Sequence, residues 1–212
     1  TTFKYEIPYM LLITAVLLVM GMTGNEITFI EGVILWILFI AYLLYLYILA
    51  KKGNDSGDEQ SVKLYPVWKC LFFIVLGGVC VVIGSQFVVN GATTIARACG
   101  MSERFIGLTI VAFGTSLPEL VTSVSAARKG NAGIAIGNIV GSNIFNILFV
   151  VGTVALICPV PFESRFVIDT VVAILCGVLL WGGTIRHKEL RKPCGVVMLL
   201  CYAAYFVYLA AM

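Results

Sequence analysis

The run "FGTSLPEL", residues 113 to 120, sets a carboxylate, two hydroxyls and a proline in the middle of an apolar stretch, 105–126. On helical spacing Thr115, Ser116 and Glu119 fall at i, i+1 and i+4, and Thr122 and Ser123 continue the same polar stripe. Every group on that stripe offers oxygen. The next apolar stretch, 132–157, carries Asn138, Ser142 and Asn146 at every fourth residue. Packed together, the two segments would bring Glu119 and Asn146 to one level and present carboxylate, hydroxyl, amide and carbonyl oxygens together. An oxygen set without sulfur or imidazole suits hard cations such as Ca²⁺ and Na⁺ and argues against zinc or copper.

The proline matters as much as the acid. Pro118 has no N–H to give, and its ring crowds the carbonyl four residues back, that of Gly114, so the helix is expected to kink or unwind near Gly114. Backbone carbonyls freed in hydrocarbon are tolerated only where protein, a water-filled cavity or an ion satisfies them. A carboxylate at that depth costs several kcal/mol on insertion scales and marks an ion or proton pathway. The bland alternative is a glutamate hydrogen-bonded to a neighbouring helix for structure alone.

The elements that must position these groups follow from composition. The chain of 212 residues is 60% hydrophobic and only 12% charged, too little polar surface to cover a soluble globule of that size. Apolar stretches near 6–22, 27–50, 66–97, 105–126, 132–157, 166–185 and 194–211 predict about seven transmembrane helices and an all-α polytopic membrane protein. Runs such as "VILWILFIAYLLYLYILA" are apolar on every face, unlike the alternation of a membrane β-barrel. Gly133, Gly137 and Gly141 form a small-xxx-small stripe expected to admit another backbone closely.

The one long polar segment, "KKGNDSGDEQSVK" at 51–63, divides two leading helices (1–50) from a five-helix unit (65–212), with 51–64 as the connecting loop. With Lys51 and Lys52 in the cytoplasm, alternation puts Lys4, Lys63, Lys69, Arg128, Lys129, Arg186, Lys188, Arg191 and Lys192 there as well. Only Arg97, Arg104 and Arg165 remain opposite, a split of 11 to 3. That bias predicts a multi-pass protein of the cell membrane with residue 1 and the 51–64 loop cytoplasmic and the C-terminus outside, and opposes insertion both ways up. The small net charge of +3 sits in short loops and implies no nucleic-acid partner.

Other polar residues are read more plainly. Glu31 and Asp169 lie near predicted helix ends and are expected to reach the headgroup region. Asn90 and Thr109 could line a cavity or bond to backbone, and His187 is expected to be solvated in a basic loop. The cysteines, Cys70, Cys80, Cys99, Cys158, Cys176, Cys194 and Cys201, are odd in number, lack CxxC spacing and read as small apolar residues. No nucleophile, base and oxyanion arrangement suggests an enzyme, and no cofactor is called for. "TTFKYEIP" leads directly into an apolar stretch, which reads as part of a longer chain.

Residues 90–152, with "GTSLPE" followed by "GSNIFN", resemble the cation/calcium antiporters, whose best-known members are the sodium/calcium exchangers. The resemblance implies two inverted repeats, each with a pair of broken helices, facing one another at the bilayer midplane. This chain holds one such pair, in helices 105–126 and 132–157, and is similar to the last seven of ten spans. By resemblance Glu119 would be the ligand shared by Ca²⁺ and Na⁺. The Ala112 carbonyl, Thr115 and Ser116 would line sodium positions, and Ser142 and Asn146 would come from the second helix. An amide at Asn146 points away from potassium coupling, and the "GTS" hydroxyls towards sodium and away from protons. The implied activity is exchange of Ca²⁺ for Na⁺ by alternating access, as the C-terminal part of a secondary antiporter in the lipid bilayer. A transport-inactive half or assembly fragment and a passive cation channel are the alternatives. The missing carboxylate would come from an N-terminal repeat or from a second copy in a homodimer.

Overall fold

In a computed structural model, the structure describes residues 2–53, 66–101, 103–185 and 190–211, without the side chains of residues 2, 3, 53, 104, 105, 108, 112, 165 and 209–211. The 54–65 part of the polar linker and the loop containing His187 lie outside the described residues. A short π-helical turn, Thr2–Glu6, leads into α1, Ile7–Gly24, which Pro8 opens without losing a needed hydrogen bond. Asn25 ends α1 in the left-handed conformation, at φ 56°. Then α2, Phe29–Gly53, begins with the Glu31 carboxylate accepting from the Thr28 N–H at 2.7 Å and its hydroxyl at 2.9 Å. Glu31 therefore has a local role, satisfying the start of the helix near whose end it was expected.

The long helix α3, Val67–Ala98, is followed by α4, Glu103–Ile106, a π-helical turn Gly107–Val111, α5, Ala112–Thr115, and α6, Leu117–Arg128. The following span runs as α7, Ala132–Phe145, a π-helical segment Asn146–Val151, and α8, Gly152–Ile157. The chain closes with α9, Ser164–Thr184, and α10, Lys192–Ala211. Among the described residues, five helices are long and apolar enough to cross a membrane, the bent pair Thr109–Thr115 and Leu117–Arg128 makes six if it is counted as one span, and Lys192–Tyr208 is a shorter apolar helix. The all-α polytopic architecture expected from the sequence is what the fold shows.

The core joins the ends of the chain to its second half. α1 packs on α9 and α7, α2 on α8 and the π-helical turn before it, and α10 on α9. Ile7, Ile13, Leu35, Val140, Ile144 and Leu148 meet in its centre, each fully buried. Because lipid is as apolar as leucine, contact quality matters more there than burial. A Cβ on Gly32 would stand 3.0 Å from the Gly152 carbonyl oxygen, so α2 and α8 approach to backbone distance. Trp36, Phe39, Phe145 and Phe149 stack beside that crossing, and the Trp36 indole donates to Thr153 Oγ1 at 3.2 Å. The close approach expected along Gly133, Gly137 and Gly141 is not found: among the described residues nothing lies within 4 Å of a Cβ built on any of them. Four-residue spacing names a face of a helix but not its partner.

Two two-residue strands, β1 (Glu26–Ile27) and β2 (Val160–Pro161), pair antiparallel with Glu26 opposite Pro161 and Ile27 opposite Val160. They hold the α1–α2 and α8–α9 connections at one end of the bundle. Asp169, early in α9, has a partner the sequence did not indicate: its carboxylate accepts from Tyr205 Oη at 2.7 Å, tying α9 to α10. At the α3–α4 turn the exposed Arg97 and Glu103 pair, and the guanidinium's hydrogen bonds hold the Glu103 carboxyl below the usual carboxylate range. So exposed a pair adds little stability.

Candidate functional site

Pro118 breaks its helix two residues later than Gly114. The chain stops being helical at Ser116 (φ −92°, ψ 0°), and α6 restarts at Leu117 with Pro118 in its first turn, leaving the two pieces bent by 52°. A proline is harmless there because first-turn N–H groups have no intrahelical acceptor anyway. Gly114 is needed for a different reason. A Cβ on it would run into the Val89 side chain of α3, so this glycine lets the break nestle against that helix.

The restart puts Glu119 in the first turn of α6, next to the helix N–H groups that have no intrahelical acceptor. Its Oε1 accepts from Ser142 Oγ of α7 at 3.1 Å. Its Oε2 is buried and has no hydrogen-bond partner among the described residues, an arrangement that costs energy unless something positive satisfies it. Glu119 belongs to the wall of a cavity of about 480 Å³, lined among the described residues by Thr115, Ser116, Glu119, Ser123, Ser142, Asn143 and Asn146, with Leu120 and Ile139 as its apolar part. Glu119 is the one carboxylate in that lining.

Asn138 has another role. Its Nδ2 donates to the Glu119 carbonyl at 3.1 Å and to Ser123 Oγ at 3.0 Å, while Ser123 Oγ donates to the Ala135 carbonyl at 3.3 Å. These bonds clamp α6 to α7 one turn from the Glu119 carboxylate and fix its height. A backbone carbonyl only accepts, so the amide nitrogen must face it.

Of the six residues expected at the site, Thr115, Ser116, Glu119, Ser142 and Asn146 line the one cavity. Ala112 opens α5, one turn before the break. Thr122, expected to continue the polar stripe, instead donates to the Pro118 carbonyl at 2.8 Å. Asn143 was not anticipated. Its amide donates to the Ile139 carbonyl at 2.8 Å while it lines the cavity, and the four-residue stripe through Asn138, Ser142 and Asn146 skips it. Nor were the π-helical turns, one before the break and one starting at Asn146, which a composition scan does not register. Such turns recur at functional sites.

Residues 69–211 match the family described as sodium/calcium exchanger protein. The chain is 34% identical over 214 residues to the putative antiporter CaxA of Alkalimonas amylolytica, covering 96% of this chain and 67% of that protein. To the sodium/calcium exchanger MaX1 of Methanosarcina acetivorans it is 39% identical over 142 residues, which are 66% of this chain and 41% of that protein. The solved structure of the sodium/calcium exchanger from Methanococcus jannaschii aligns with a TM-score of 0.77 at 31% identity, over 95% of this chain and 63% of that one. The chain thus spans about two-thirds or less of the length of these relatives. A match over well more than half of its residues, carried on the same helical membrane fold, makes this chain a member of the sodium/calcium exchanger protein family.

Proposed function

We propose that the chain supplies one half of the ion site of a secondary antiporter that exchanges Ca²⁺ for Na⁺, with Glu119 as the ligand both ions share. The observation that carries this reading is Glu119, with one carboxylate oxygen buried and unpartnered among the described residues, in the lining of a cavity whose other polar groups all offer oxygen. A bound cation would satisfy that oxygen. Thr115, Ser116, Ser142 and Asn146 would add neutral ligands of the kind hard ions take. Because one carboxylate cannot fully serve Ca²⁺ and Na⁺ at once, the ions compete, and competition at a single site coupled to alternating access is exchange. The bend at Ser116 and the π-helical turns flanking the site give the two helices places to flex.

The orientation proposed has residue 1 and the 51–64 loop in the cytoplasm and the C-terminus outside, in the cell membrane. The pairing of β1 with β2 agrees with the alternation, which puts both of those connections on one side, and the loop charges are what favour calling that side the outer one. The decisive test is Glu119→Gln in the complete transporter, assayed as uptake of radiolabelled Ca²⁺ driven by a sodium gradient. Uptake should be abolished, and uptake at the normal rate would refute the assignment. A second reading, a half that is inactive alone, is favoured by the lone carboxylate in the cavity lining. It expects the chain to insert and fold with no sodium-dependent flux until an opposing carboxylate-bearing partner is supplied.

A further inference from the structure

Two neighbouring stripes of α7 border the Glu119 carboxylate, and they do different things. Ala135, Asn138 and Ser142 face α6: the Ala135 carbonyl accepts from Ser123 Oγ, the Asn138 amide donates to the Glu119 carbonyl and to Ser123 Oγ, and Ser142 Oγ donates to Glu119 Oε1. Ile139, Asn143 and Asn146, at i, i+4 and i+7, form the next stripe and lie in the wall of the cavity of about 480 Å³. Asn143 differs from Asn138 in where its amide is anchored. Its Nδ2 donates to the Ile139 carbonyl of its own helix at 2.8 Å. A carbonyl only accepts, so the nitrogen and not the oxygen faces it. The amide group is planar, and with its nitrogen turned back to the helix its Oδ1 is turned away from it. Asn143 is exposed, and among the described residues Oδ1 accepts no hydrogen bond.

The Ile139 carbonyl already accepts from the Asn143 N–H in the α-helical ladder, so the side-chain bond meets no unmet need of α7. Its effect is to fix which end of the amide is offered to the cavity. An amide free to turn presents N–H donors to a cation as readily as oxygen, whereas this one presents lone pairs with no reorientation. Ion–dipole energy scales with the charge of the ion, so at like distance one such oxygen is worth about twice as much to Ca²⁺ as to Na⁺. Ca²⁺ also takes a shell of 6–8 oxygens, more than the hydroxyls of this half supply. Resting on the Ca²⁺ and Na⁺ reading of this cavity, we infer that Asn143 is a further ion-binding residue, a fixed amide oxygen that strengthens Ca²⁺ binding more than Na⁺ binding.

The test measures equilibrium binding of radiolabelled Ca²⁺, and its displacement by Na⁺, on the complete transporter purified in detergent. Asn143→Leu keeps much of the volume and removes the oxygen. It should weaken Ca²⁺ binding about tenfold, the low end of what losing one supporting group costs a metal site, and Na⁺ binding about threefold or less. Asn143→Asp separates ligation from support of the helix. An ionised carboxylate cannot donate to the Ile139 carbonyl, so it loses the same bond as leucine does, yet it keeps an oxygen for the ion and adds a charge. Ca²⁺ should bind Asn143→Asp at least as tightly as the wild type. If the side chain served α7 alone, both variants would melt lower and weaken the two ions alike, and that result overturns the inference, as does wild-type binding of both ions by Asn143→Leu. Should Asn143→Leu fail to fold, Asn143→Asp decides by itself: Ca²⁺ affinity at or above the wild-type value upholds the assignment, and a lower one overturns it. Glu119→Gln, run alongside, keeps the two readings apart. Loss of Ca²⁺ binding there with unchanged binding in Asn143→Leu removes only Asn143 from the site, whereas wild-type binding by Glu119→Gln removes the site itself.

Discussion

Asn138→Leu isolates the clamp that sets the height of Glu119 without removing any oxygen from the cavity. The substitution deletes two hydrogen bonds, at 3.1 Å to the Glu119 carbonyl and 3.0 Å to Ser123 Oγ. Each is worth about 0.5–1.5 kcal/mol, and membrane-embedded polar contacts average nearer 0.6, so a loss of about 1–3 kcal/mol is expected. Part of that loss is local, because freeing the α6–α7 pair lets the carboxylate leave the level of Ser142 and Asn146. If about 1.4 kcal/mol of it is spent re-forming the site when an ion binds, Ca²⁺ affinity falls about tenfold. The assay pairs a thermal melt in detergent with a Ca²⁺ titration of the complete transporter. Asn138→Asp is the control: it keeps the shape but turns an acceptor towards an acceptor, and should cost at least as much stability. A variant Asn138→Leu that melts and binds Ca²⁺ like the wild type would refute the view that this amide positions Glu119.

Gly114→Ala should destabilise by about 1–3 kcal/mol through its clash with Val89, and Val89→Ala in the same chain should restore most of the melting temperature; no rescue would mean the helices do not meet there. Glu31→Ala removes the acceptor for the Thr28 N–H and hydroxyl and should cost about 1 kcal/mol in a detergent melt, with Ca²⁺ binding unchanged. Tyr205→Phe strands the Asp169 carboxylate and should cost about 1–3 kcal/mol, with Tyr205→Phe and Asp169→Asn together costing less than Tyr205→Phe alone in a double-mutant cycle.

What the sequence made legible is what one-dimensional chemistry controls. Spans follow from the length of apolar runs, and the expected ranges fall within a few residues of the observed helices. Pro118 and Glu119 announced a broken helix with a buried acid because a missing donor and a charge in hydrocarbon are costly anywhere. The position of the break was not legible, since Pro118 could either disrupt a continuing helix or open a new one, and only packing against Val89 of α3 selects the second. Glu31 and Asp169 lay near helix ends as expected, but their partners, Thr28 within the same turn and Tyr205 on another helix, depend on side-chain geometry that proximity to an end does not fix. The glycine stripe shows the same limit: no described residue packs on the face that Gly133, Gly137 and Gly141 share, whereas the close backbone approach found within this chain uses Gly32 and Gly152, which belong to different helices and share no periodicity.

Charge counting links the described half to the proposed exchange. One ionised Glu119 matches a single Na⁺, while Ca²⁺ would leave a net positive charge in a cavity whose remaining polar groups are neutral. In a medium of low dielectric constant that imbalance is expensive, and hydroxyls and amides soften it without cancelling it. Selection of Ca²⁺ on the proposed reading therefore has to come from a second carboxylate brought to the open side of the cavity, whereas the neutral oxygens of Thr115, Ser116, Ser142 and Asn146 suffice for Na⁺. Such a division explains why the same Glu119 could serve both ions. With the opposing acid near, the pair of charges holds Ca²⁺, and as that acid is drawn away or shared, Na⁺ becomes the better-matched occupant. On the proposed reading, exchange would need no second site for the competing ion, only a change in the distance between two acids.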